Sequence, residues 1–162
     1  MPGPRLDVVD DPKELAERAA RYVADRARAS IAARGRSTLA VSGGHTPWAM
    51  FAAMREADVP WRSIDVYQVD ERVAPSGDPD RNLTNLLAVL PEGPVVHPMP
   101  VEDDDLEAAA GRYAATLPDR FDLIHLGLGA DGHTASLVAG DPAWTRPIGW
   151  SRSRASTWVN GG

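Results

Sequence analysis

The chain contains no cysteine, only two phenylalanines, and no apolar run long enough to span a bilayer. Without cysteine there can be no disulfide framework, no thiolate nucleophile and no thiolate metal site, an absence that fits a reducing cytoplasm. A membrane-crossing helix needs about 20 apolar residues in succession. The segment from Met1 to Asp11 carries charges among its apolar residues and lacks the apolar centre of a signal peptide. Positive charge is also short: 17 Lys and Arg face 23 Asp and Glu, for a net charge of -6. An acidic chain disfavours nucleic acid and anionic membranes, which bind clustered basic surfaces. A soluble, cytoplasmic protein is expected, with neither nucleic acid nor membrane as a partner. Any anionic ligand must be held by a local site.

What is present suits one compact α/β domain: 162 residues, 43% apolar and 25% charged, with no internal repeat. Leu6 to Val9 is a short apolar run that predicts a first strand. Asp10, Asp11 and Pro12 then start a helix whose apolar positions (Leu15, Ala19, Tyr22, Val23, Ala27, Ile31) recur at helical spacing until Gly35. Strands are expected at Thr38 to Val41, Ile64 to Val69, Val95 to His97 and Phe121 to Leu126. Helices are expected at Trp48 to Met54, Asn82 to Leu90 and Asp103 to Leu117. Strands alternating with helices predict a parallel, doubly wound sheet covered on both faces.

In an open sheet of this kind ligands bind beyond the carboxyl ends of the strands. Three loops lie there. Ser42-Gly43-Gly44-His45-Thr46-Pro47 offers close-approaching backbone amides and a hydroxyl at a helix start, a pattern suited to an anion. Asp70-Glu71-Arg72 sets two carboxylates and a planar cation at a strand end, and Arg72 matches the fork geometry of an oxyanion. Gly127 to Gly132 formally matches G-x-G-x-x-G. It closes the last strand instead of the first, so a dinucleotide site is a poor fit. Asp131 and His133 in that loop suit proton transfer, since an imidazole with an ordinary pKa of about 6.5 can accept a proton from water at neutral pH. His45 and His97 read as surface or structural residues, and His125, inside a strand, as a core residue or a support for the site.

Taken together, Ser42 to Pro47, Asp70-Glu71-Arg72 with Arg81-Asn82 downstream, and Gly127 to Leu137 resemble the 6-phosphogluconolactonase family. The related glucosamine-6-phosphate deaminases share the Ser-Gly-Gly loop and Asp-Gly-His. They typically continue with Ile-Ala-Phe-Asn-Glu, where this chain has Thr134-Ala135-Ser136-Leu137, and they usually carry Tyr or Trp at the place of Arg72. The resemblance implies a Rossmann-like domain that hydrolyses 6-phosphoglucono-1,5-lactone to 6-phosphogluconate, in the oxidative pentose phosphate pathway, with no cofactor and no metal. It implies that His133 is the base activating water, that Asp131 shapes its loop, and that Arg72 supplies positive charge. Ser42, Gly43, Gly44, Thr46, Asp70, Asn82 and Gly132 are the implied substrate and phosphate contacts.

The resemblance covers residues 1–140. From Asp141 to Gly162, Trp, Arg, Ser and Gly dominate and no period survives, so an irregular tail unlike the family is expected, on a fold that stops short. The competing readings are a non-catalytic sugar-phosphate-binding module, an inactive truncated product, and a deaminase-like isomerase.

Overall fold

The structure, a computed structural model, describes residues 3, 5–138 and 140. Helix α1 (Pro12–Arg34) begins where Asp11 Oδ1 accepts the Lys13 N–H at 3.0 Å, with proline in its first turn. It stops at Gly35, whose φ of +79° lets its N–H return to the Ile31 carbonyl at 2.7 Å. Strands β1 (Ser37–Val41) and β2 (Ile64–Gln68) follow, separated by α2 (His45–Met54). Helix α3 (Asn82–Val89), β3 (Val95–His97), α4 (Leu106–Ala114) and β4 (Leu123–His125) complete the order.

The four strands form one parallel sheet in the order β3-β2-β1-β4, with Leu39 opposite both Val66 and Leu123. The two central strands are buried almost throughout, as expected when helices cover both faces. On one face Leu39, Val41, Ile64 and Val66 pack against Val23, Ala24 and Ala27 of α1, Met50, Phe51 and Met54 of α2, and Leu86 of α3. The alanines of α1 let its backbone lie close to the strands. On the other face Ala40 and Tyr67 meet Tyr113 of α4, with Leu117 and Phe121 alongside. The Tyr113 hydroxyl donates to the Gln68 carbonyl and accepts the Gln68 N–H, both at 2.9 Å, and burial pushes its pKa up. The doubly wound parallel sheet expected from the sequence is therefore the architecture observed.

Several elements differ from expectation: α2 begins at His45 rather than Trp48, β4 spans Leu123–His125 rather than Phe121 to Leu126, and α4 ends at Ala114 rather than Leu117. No strand forms over Leu6 to Val9; Leu6 and Val8 are 86% and 75% exposed. An apolar run becomes a strand only where a neighbouring edge takes up its amides and carbonyls, and this one has none. Helix α4 begins at Leu106 rather than Asp103, because Asp105 is its cap, accepting the Ala108 N–H at 2.9 Å, while Asp103 pairs with Arg112. Among the described residues no helix is long and apolar enough to cross a membrane. The tail expected from Asp141 to Gly162 lies outside the described residues.

Candidate active site

Because the strands are parallel, β1, β2 and β4 all deliver their following loops to one rim of the sheet. Direct contacts tie those loops together. The Gly127 N–H donates to Ser42 Oγ at 3.4 Å, joining the loop after β4 to the loop after β1. Asn82 donates through Nδ2 to the Asp70 carbonyl at 3.2 Å and lies against Gly43, so closely that a Cβ there would fall 1.8 Å from Asn82 Oδ1. Ser136 Oγ donates to Asp70 Oδ2 at 3.4 Å, closing the third side. Ser42, Gly43, Asp70 and Asn82 are thus brought together as the sequence suggested.

Asp70 is 6% exposed. Burial pushes its carboxyl above the usual range; the Arg72 charge pulls the other way, and the neighbouring Glu71 carboxylate adds to the rise. Both the Arg72 and His133 charges act on Asp70, which sets all three within one electrostatic neighbourhood. Arg72 is exposed, and its guanidinium has no partner among the described residues.

In the loop after β4, His133 Nδ1 and Asp131 Oδ1 lie 2.5 Å apart, and the same oxygen accepts the His133 N–H at 3.2 Å. The hydrogen bond from His133 holds the Asp131 carboxyl below its usual range. With Nδ1 as the donor to that carboxylate, Nε2 carries the lone pair and is uncommitted among the described residues. The loop's shape depends on small residues. A Cβ at Gly129 would lie 2.2 Å from the His133 ring and 2.7 Å from Asp131 Oδ1. Gly132, at a φ of +86°, turns its N–H to the Gly129 carbonyl at 2.9 Å. Ala135, with a φ of 51°, is the one non-glycine residue in the left-handed region among those described. It sits in a tight turn closed by reciprocal Thr134 and Leu137 backbone bonds.

Gly44 and Thr46 stand slightly apart, at the start of α2, and make no hydrogen bond to the other loops among the described residues. Gly44, at a φ of +121°, caps α2 without a side-chain bond, and Pro47 has no N–H to offer. The first turn of α2 therefore has no side-chain cap.

Sequence reasoning gave Glu71 and Ser136 no role of their own. Glu71 is 2% exposed, and its carboxylate gathers donors from both sides of the loop. Its only sequence signal was adjacency to Asp70 and Arg72, which does not separate a buried acceptor from a solvated charge. His97 is structural, as expected: Nε2 lies 3.0 Å from Asp65 Oδ1, and the ring stacks on Tyr67 at 4.1 Å. His125 is half-buried, and desolvation lowers its pKa.

At its carboxyl rim the parallel α/β sheet carries a histidine–aspartate pair, a buried carboxyl and an arginine whose guanidinium makes no hydrogen bond among the described residues. The chain belongs to the glucosamine-6-phosphate isomerase and 6-phosphogluconolactonase family, whose model matches residues 10–160. It is similar to a 6-phosphogluconolactonase from Synechocystis, with 39% identity over 157 residues, covering 88% of this chain and 65% of that protein. A 6-phosphogluconolactonase from Streptomyces coelicolor is 35% identical over 164 residues, covering 86% of this chain and 62% of that protein. The solved structure of a 6-phosphogluconolactonase from Shewanella baltica superposes with a TM-score of 0.73 at 27% identity, covering 79% of this chain and 58% of that one. The chain spans less than two thirds of the length of each of these relatives.

Proposed function

We propose that this chain carries the site of a 6-phosphogluconolactonase and hydrolyses 6-phospho-D-glucono-1,5-lactone to 6-phospho-D-gluconate. The observation that carries the reading is the His133–Asp131 pair: Nδ1 is held at 2.5 Å and Nε2 is left uncommitted on the strand-end rim. The similarity to 6-phosphogluconolactonases over most of the chain supports it.

The chemistry follows from what a lactone needs. His133 Nε2 takes a proton from water as the water oxygen bonds to the lactone carbonyl carbon. Negative charge then develops on the carbonyl oxygen, and Arg72, exposed and unpartnered among the described residues, is the cation available to stabilise it or the substrate's phosphate. As the intermediate collapses, the bond from that carbon to the ring oxygen breaks and the imidazolium returns its proton to the leaving oxygen. The product is the open-chain hydroxy acid. Asp131 orients the imidazole through Nδ1. The uncapped first turn of α2, with Thr46, is the complementary place for the phosphate. Ser42, Gly43, Asp70, Asn82 and Gly132 are the remaining substrate contacts in this reading, the first four tied together by direct contacts among the loops. Sugar phosphates are too charged to leave the compartment that makes them, and the reaction is assigned to the cytoplasm, in the oxidative pentose phosphate pathway.

The test compares acid release from 6-phosphogluconolactone with the spontaneous rate, alongside ammonia release from glucosamine 6-phosphate. Lactone hydrolysis above background with no ammonia supports the assignment. Ammonia release without lactone hydrolysis would replace it by a deaminase, and neither activity would leave a binding module.

A further inference from the structure

We infer that Glu71 is a positioning residue for the site, setting Arg72 and Asn82 by gathering their backbones onto one buried carboxylate. The inference rests on the proposed function for its kinetic meaning, but its structural basis is independent. Glu71 Oε1 accepts the N–H groups of Arg72 and Asn82, each at 2.7 Å. Oε2 accepts the Leu83 N–H at 2.9 Å and Gln68 Nε2 at 2.8 Å. Each oxygen thus serves two donors, and the side chain is fully buried while doing so.

Two consequences follow. Helix α3 has no side-chain cap from Arg81, its N-cap residue, so Glu71 caps it from the preceding loop. That fixes the first turn of α3, including Asn82, whose side chain sets the approach to Gly43 and to the Asp70 carbonyl. Glu71 also divides the two nearby arginines. Arg81, 3% exposed, forms ion pairs with Glu71 at 3.5 Å and with Glu102. Arg72 is hydrogen-bonded through its backbone, and its guanidinium makes no hydrogen bond among the described residues, which leaves it available to a ligand. A glutamine at position 71 could not substitute, since its NH₂ would face two N–H donors whichever way the amide turned.

The experiment is a double-mutant cycle between Glu71→Gln and Arg72→Ala, read as KM and kcat for the lactone and as affinity for 6-phosphogluconate. Losing a charge-assisted arrangement at the ligand should raise KM about tenfold or more, with a smaller change in kcat. In the Arg72→Ala background the same substitution should add no more than about threefold, the share that runs through Asn82, because most of the effect on an anionic ligand runs through Arg72. A full, additive effect in that background overturns the inference.

Stability is separated from position by the exchanged pair Gln68→Glu/Glu71→Gln, which keeps one buried carboxylate but moves it away from the Arg72 and Asn82 amides. The exchanged pair repairs the contact between residues 68 and 71, so it should recover part of the thermal stability lost in Glu71→Gln and leave KM raised; recovery of KM along with stability would make the role merely structural. Should the wild-type chain neither turn over lactone nor bind 6-phosphogluconate, the proposed function fails, and hydrogen exchange judges Glu71 separately. Faster exchange at the Arg72, Asn82 and Leu83 amides, in Glu71→Gln or the exchanged pair, supports the inference, and unchanged exchange overturns it.

Discussion

The side-chain oxygen of Asn82 occupies the space that a Cβ on Gly43 would need, 1.8 Å from where that atom would stand. Glycine at position 43 is required by this packing, whatever its value to a ligand. The contact joins the loop after β1 to the first turn of α3. Gly43→Ala is therefore expected to destabilise the fold by about 1–3 kcal/mol, the usual range for overpacking. In an Asn82→Ala background, which vacates the space, the penalty should largely disappear. Urea denaturation of the four proteins in the cycle measures this.

Gly129 holds an equivalent position beneath His133. Gly129→Ala should displace the imidazole from Asp131, and a misplacement of about 1 Å can cost about 10²-fold in rate. A fall in kcat of that order, in a protein that still melts cooperatively, is the expected outcome.

The raised pKa of buried Asp70 has a definite sign for stability. A carboxyl whose pKa is higher folded than unfolded contributes stability that is fully present below the unfolded value, near 3.8, and lost as pH rises through the folded value. Asp70→Asn removes this dependence. The variant should gain stability relative to wild type as pH rises from 4 toward neutrality, shown by melting temperatures across that series. Its catalysis should fall all the same, since the carboxylate facing Arg72 and His133 is gone.

Asp65 behaves in the opposite sense. Burial raises its pKa, but the hydrogen bonds from His97 and Arg36 outweigh that and leave it lowered. Its contribution is present above the unfolded value, near 3.8, and lost as pH falls through the lower folded value. Asp65→Asn should flatten the acid limb of the stability curve below that point, while lactone hydrolysis at neutral pH changes little.

Much of this arrangement was legible in the sequence because the central elements obey local rules. The cap at Asp11 and the stop at Gly35 delimit α1, and the runs before Ser42 and Asp70 are β-forming and apolar. A parallel sheet then forces their loops to one rim, so the candidate site follows from topology. Partnership in space was not legible. Leu6 to Val9 looks like a strand by composition but finds no edge. Glu71 differs from a solvated loop carboxylate only through donors at positions 82 and 83, which its local sequence does not announce. His97 owes its place to Asp65 and Tyr67 on the neighbouring strand, 32 and 30 positions earlier in the chain.

We propose His133, held by Asp131, as the base that activates water, and this role decides whether the site is catalytic. It is tested most directly by the turnover of 6-phosphogluconolactone by His133→Ala at neutral pH, corrected for spontaneous hydrolysis. A general base contributes about 10²- to 10⁴-fold, so kcat should fall by that factor, with KM much less affected. A His133→Ala protein that turns over lactone as fast as wild type would rule out His133 as the base.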